Sequence, residues 1–118
     1  MTSERSAAGA KAEAFAAQYL EARGLTVIER NFRRRRGEID LIARDGDTLV
    51  FVEVRLRSRS DYGDAAASIT AAKRARWAAT AQLYLARFGR TPPCRFDAVL
   101  LDRLQPPRIE WLKDVMSA

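Results

Sequence analysis

The sequence predicts an α/β chain, an α+β mixed sheet with helices packed on it, in the order α-β-β-β-α-β and with a short closing strand at most. Three observations predict it. Residues 37–57, "GEIDLIARDGDTLVFVEVRLR", hold two apolar runs around Asp45-Gly46-Asp47, a hairpin signal. Residues 6–23 and 65–88 are dense in good helix formers. After the second of these, "CRFDAVLLD" is again strand-like.

In order along the chain, "SAAGAKAEAFAAQYLEAR" is a helix that stops at Gly24. "LTVIERNF" is a strand rich in β-branched residues. Arg33, Arg34, Arg35 and Arg36 are too charged for a core and belong to a loop or a strand edge. "EIDLIA" and "TLVFVEVRL" become antiparallel neighbours through the Asp-Gly turn. "RSRSDYGD" is a polar loop, and the helix from Ala65 to Phe88 closes with Gly89 and Pro92-Pro93. "CRFDAVLLD" follows as a strand, and "RIEWLKDV" is a short final strand or an irregular tail. At 118 residues the whole, 1–118, is expected to be one domain.

Composition narrows the chemistry. Apolar residues are 47% and charged residues 31%, a globular balance. There are 21 basic against 15 acidic residues, a net charge of +6 and a pI near 10.2. Such a chain suits a polyanionic partner, nucleic acid foremost, although ordinary basic proteins share the balance. The sequence has no histidine, which excludes a histidine base, a histidine metal ligand and Ser-His-Asp or Cys-His catalysis. Cys94 is the only cysteine, so neither an internal disulfide nor a thiolate zinc site can form. Following Pro92-Pro93, Cys94 reads as a structural thiol. Any metal must be held by oxygen, which selects Mg²⁺ or Mn²⁺. No small-molecule cofactor is expected. The N-terminus is not a signal peptide and no run approaches 18 apolar residues, so a cytoplasmic protein without a membrane partner is expected.

Both hairpin strands carry acids among apolar residues: Glu38 and Asp40 in the first, Glu53 in the second, with Arg55 two residues on. Burying an unpaired charge is costly, so each acid needs a reason. Side chains alternate across a strand, which puts Glu38 with Asp40 on one face and Glu53 with Arg55 on one face. The turn then allows Asp40 to lie across from Glu53. Two close carboxylates repel, and a divalent cation between them relieves the repulsion. Salt bridging to Arg55, Arg57 or an arginine of 33–36 on a wet sheet face is the plainer alternative. Glu13 has Gly9, Ala16, Ala17 and Leu20 as helical neighbours, a face suited to packing on the sheet. Taken alone, it reads more readily as a surface acid.

These residues carry a resemblance. "GEIDLIARDG" and "LVFVEVRLRS", then "YGDAAASITAAKRAR" and "RFDAVLL", resemble the bacterial YraN family of predicted endonucleases. "GAKAEAFAAQYLEARGLTVIERNFR" fits as well, so the likeness spans about residues 9–102 and leaves 103–118 as a tail or short strand. That family is similar to archaeal Holliday-junction resolvases and, through them, to the PD-(D/E)xK nucleases. The resemblance implies a restriction-endonuclease-like core and metal-assisted phosphodiester hydrolysis. It places the catalytic acids on Asp40, Glu53 and Glu13, with Mg²⁺ or Mn²⁺ held by Asp40, Glu53, Glu13 and the backbone carbonyl of Val54. Arg55 falls where the pattern has lysine, a departure, since arginine supplies charge but cannot act as a base. Lys73, on a helix face with Ile69, Trp77 and Thr80, can compensate if it reaches the site, or serve as a surface lysine.

Arg33 to Arg36 precede the acidic strand, and Arg57 and Arg59 follow the other. In hairpin geometry both groups flank the acids and can contact phosphates, with Lys73 extending the surface. No base-reading motif is present, so DNA is expected to be recognised by shape and backbone, branched or junction DNA included. A homodimer is implied by the resemblance alone. A non-catalytic nucleic-acid-binding module and a protein-interaction domain are the rival readings.

Overall fold

A computed structural model describes residues 7–56, 70–102 and 106–116. The elements are α1 (Ala7–Ala22), β1 (Thr26–Arg34), β2 (Gly37–Asp45), β3 (Thr48–Leu56), α2 (Ala71–Leu85), β4 (Cys94–Leu101) and β5 (Ile109–Leu112). The strands form one mixed sheet in chain order. β1 and β2 are antiparallel, as are β2 and β3 and also β4 and β5, whereas β3 and β4 run parallel. A parallel pair needs a crossover connection, and α2 lies in it. The α+β mixed sheet is consistent with a restriction-endonuclease-like core, and the last short strand is present.

Local chemistry sets the ends of the elements. At the end of α1 the N–H of Gly24 bonds the carbonyl of Glu21, and the N–H of Leu25 bonds that of Leu20. This paired closure needs a left-handed residue, and Gly24 supplies it at φ 99°. Leu20 and Leu25 are both buried beside it. At the start of α2, Thr70 is extended and its hydroxyl accepts the N–H of Lys73 at 3.1 Å, an N-cap. The helix therefore begins at Ala71; residues 65–69 of the expected helix lie outside the described residues. Between β2 and β3, Asp45 pairs with Thr48 and Gly46 takes φ 62°, as the Asp-Gly signal requires.

The sheet separates two layers. On one side α1 places Ala12, Ala16, Ala17 and Leu20 against Leu41, Ala43, Val50, Val52, Val99 and Leu101. On the other, α2 places Trp77, Ala81, Tyr84 and Leu85 against Ile42, Leu49, Phe51 and Phe96. β3 is thus buried on both faces along Leu49–Val52, as its unbroken apolar run suggests. Leu83 and Phe88, large and apolar, are exposed at 55% and 38%. Among the described residues no helix is long and apolar enough to cross a membrane.

Two features of β2 set where its acids lie. The β2–β3 ladder pairs Leu41 with Val52 and goes no further towards Asp40. Ile39 packs on the α2 side although Leu41, two residues on, packs on the α1 side. The alternation is therefore broken at Asp40, next to Asn31 of β1, which has φ 55° and no ladder partner. Gly37, at the start of β2, sits against α2: a Cβ there would lie 2.7 Å from Thr80 Oγ1 and 3.4 Å from the carbonyl oxygen of Arg76. Thr80 is buried, branched at Cβ and bonded to that same carbonyl at 2.8 Å, so it has little room to yield. Gly37→Ala is expected to cost about 1–3 kcal/mol by overpacking. Urea denaturation checks this, and an unchanged midpoint would show that α2 does not need the close seat.

Candidate metal centre

Where β2 leaves the β3 ladder, the side chain of Asp40 takes over the bonding. Its Oδ2 accepts the N–H of Val54 at 2.8 Å. That bond fixes the carboxylate at the mouth of the split. Glu13 reaches the same place from α1 and is 8% exposed; the sequence alone favoured a surface acid there, and its burial corrects that reading. Glu38 comes from the turn end of β2. One carboxylate oxygen from each of Glu13, Glu38 and Asp40 lies within 4.8 Å of the others, a spacing a single divalent ion can span.

Glu53, across the split, lines the same pocket as Asp40 and is drawn towards α2. Its Oε2 is 2.7 Å from Nζ of Lys73, both groups being half-buried. The pocket measures about 190 Å³ and is lined by Gly37, Glu38, Asp40, Glu53, Lys73, Arg76 and Trp77. One wall is acidic; the wall supplied by α2 carries donors.

The electrostatics follow from this crowding. Burial raises the pKa of Asp40 first, and Glu13, Glu53 and Glu38 raise it further by repulsion. The Val54 N–H opposes them, and the net result is a carboxyl pushed up from 3.8 to about 7. Burial likewise pushes the Cys94 thiol up, against any role as a nucleophile.

The other sequence-selected residues divide clearly. Val54 contributes its N–H to Asp40. Arg55 is half-buried on β3, paired in register with Leu100, and is not among the residues lining the pocket. Arg33 to Arg36 are exposed at the β1–β2 connection and run directly into Gly37 and Glu38 of the pocket wall. Arg33 Nε also lies 3.5 Å from Glu38. Arg57 and Arg59 lie outside the described residues. From sequence Arg76 reads as part of a basic helix surface, solvated by default, and Trp77 as core or dimer face; their spacing from Lys73, three and four residues, puts both on its helix face, and both line the pocket.

Comparison with known proteins places the chain in a family. The model of the uncharacterised protein family UPF0102 matches residues 12–101. A UPF0102 protein of Dechloromonas aromatica is 58% identical over 113 residues, covering 95% of this chain and 90% of the relative. One from Methylobacillus flagellatus is 54% identical over 110 residues, covering 93% and 96%. One from Nitrosomonas europaea is 53% identical over 109 residues, covering 92% of each. The chain accordingly belongs to UPF0102, the YraN family.

Proposed function

We propose that the chain is a divalent-metal-dependent DNA endonuclease that hydrolyses phosphodiester bonds in the cytoplasm. The resemblance to junction resolvases favours branched or junction DNA as its substrate and a homodimer as its working form. The observation that carries the reading is the convergence of Glu13, Glu38 and Asp40 from two elements onto one small volume, with Glu53 facing it. The donors are all carboxylate oxygens, and their mutual repulsion falls when a hard cation joins them, so the set fits Mg²⁺ or Mn²⁺. Such an ion, when bound, supplies Lewis acidity towards a phosphoryl oxygen.

The side chains do the remaining work. Asp40, tethered by Val54, holds its ligand atom in a fixed place; Glu13 and Glu38 complete the acidic wall. Lys73 keeps Glu53 oriented, and its ammonium faces the pocket where negative charge grows on a reacting phosphate. It thereby offers the cationic help that Arg55, away from the pocket lining, does not. Arg33 to Arg36 border the opening and suit the phosphates flanking the cut.

The test is a cleavage panel on branched, flapped, single-stranded and linear DNA with Mg²⁺ or Mn²⁺. Wild type is expected to cut at least one branched form, with Asp40→Asn inactive and Lys73→Met slowed about 10²–10³-fold. Arg55→Lys is expected to leave the rate within about tenfold, because position 55 lies outside the pocket lining. Arg55 is also what favours a second reading, a nucleic-acid-binding module without turnover. That reading wins if neither wild type nor Arg55→Lys cuts any of these DNAs with Mn²⁺ present while both still retard them in gels.

A further inference from the structure

Lys73 and Arg76 on the pocket wall begin a line of cations that continues where α2 overlies β1. Arg34, exposed on β1, is paired in register with Gly37, itself part of the pocket lining. Its guanidinium lies over the ring of Phe32, 4.1 Å from the centroid. Arg87 follows Arg76 by eleven residues, about three turns, and so returns to nearly the same side of the helix. Backbone N–H bonds from Ala86, Arg87 and Phe88 carry the turn past Leu85. The Arg87 guanidinium lies 3.9 Å from the centroid of Tyr84 and 5.8 Å from that of Phe32.

Phe32 and Tyr84 are buried and packed edge to face at 5.3 Å, a firm floor beneath two exposed arginines. A methionine would cover that floor as well; arginine adds a planar, charged fork whose orientation stacking has already fixed. Arg34 donates one N–H to the carbonyl of Arg33 at 2.6 Å, and a guanidinium has five. Arg87 Nη1 lies 3.6 Å from Glu29, a long and exposed ion pair of a kind worth little, so a phosphate can share the fork. Spacing then names the partner. Eleven residues put Arg87 about 17 Å along α2 from Arg76. A DNA strand carries one phosphate for about 3.4 Å of its axis, so the span is about five steps. We propose that Arg34 and Arg87 hold the phosphate backbone of a duplex DNA arm, with Arg87 about five steps from the phosphate in the pocket, so that the arm lies along the contact of α2 with β1. The proposal rests on the reading of the pocket as a phosphodiester site.

The test compares Arg34→Met and Arg87→Met with Arg23→Met, whose arginine is stacked on Tyr19 at 3.6 Å beside α1, in the other layer. Binding of a labelled four-way DNA junction is followed by fluorescence anisotropy between about 50 and 200 mM KCl without divalent ions, and Mn²⁺ affinity by calorimetry. Arg34→Met and Arg87→Met are each expected to bind about fivefold or more weakly and to lower the salt slope by about one. Arg23→Met should change neither, and Arg87→Met should bind Mn²⁺ as wild type does. Neutral methylphosphonates, placed at one phosphate at a time with Ca²⁺ present, then read the spacing: binding to wild type should weaken at two positions about five steps apart. Arg87→Met binding the junction like wild type, or Arg23→Met losing as much, overturns the proposal, and intact Mn²⁺ binding leaves the metal site standing. One sensitive position alone, or two adjacent ones, overturns it equally. Wild type that binds neither junction nor Mn²⁺ removes the underlying reading as well. The methylphosphonate scan needs no variant, so it decides even where one fails to fold.

Discussion

Without divalent ions at pH 8, Asp40→Asn is expected to be more stable than wild type by about 1–3 kcal/mol while binding Mn²⁺ about 100-fold or more weakly. The folded carboxyl lies at about 7 against an ordinary 3.8, so its folded value is raised. Stability from Asp40 is therefore fully present below about 3.8 and is lost as pH rises through about 7. At 1.36 kcal/mol for each tenfold change in proton affinity, the full difference is about 4 kcal/mol, part of which relaxation and entering water remove. Asparagine carries no charge to bury and keeps an oxygen for the Val54 N–H. The two melting curves should converge at pH 4 and separate towards pH 8, and saturating Mn²⁺ should close the gap by stabilising only wild type. A variant less stable than wild type at pH 8, with Mn²⁺ binding intact, would remove both the crowding of charge and the metal site.

The largest loss of stability is expected away from the pocket, at Asp97→Ala. Asp97 is wholly buried on β4 and accepts from Arg95 Nε at 3.1 and 3.2 Å, from Trp111 Nε1 at 2.9 Å and from the backbone N–H of Asp114 at 2.9 Å. Arg95 is also bonded to Asp45 at 3.1 Å, which links the network to the β2–β3 turn. Alanine strands three donors and leaves the half-buried guanidinium without its main counter-charge. The expected cost is about 3–5 kcal/mol, the range for breaking a buried ion pair on one side. Amide exchange should rise first at residues 109–115, because Asp97 adds side-chain bonds to Trp111 and Asp114 beside the β4–β5 ladder. If the urea midpoint shifts by less than the equivalent of about 1 kcal/mol, the network is not a main support of this edge.

The sequence made some of this legible for definite reasons. Asp-Gly between alternating runs announces a hairpin, and its register, carried one residue past the Leu41–Val52 pair, brings Asp40 and Glu53 to one pocket. Where a signal depends on tertiary context, it fades. Alanine on every side of α1 erases the contrast that would have marked the Glu13 face as buried. The break at Asp40 follows from a left-handed asparagine on the neighbouring strand and a side-chain-to-backbone bond across the gap, which no pattern of period two contains. Asp97 sits in an apolar run that reads simply as strand; its partners lie 2, 14 and 17 positions away.

The acidic cluster and its facing wall draw on both layers of the molecule: Glu13 from one helix, Lys73 and Trp77 from the other, with the sheet between them. The pieces are separated by some sixty residues and meet only when each helix has docked on its own face. Without α1 docked on its face, the cluster lacks Glu13 and offers a cation only the acids of the sheet. An ion recognising the finished cluster would act as a latch closed after assembly: it would slow unfolding and leave the rate of folding as the chain alone sets it.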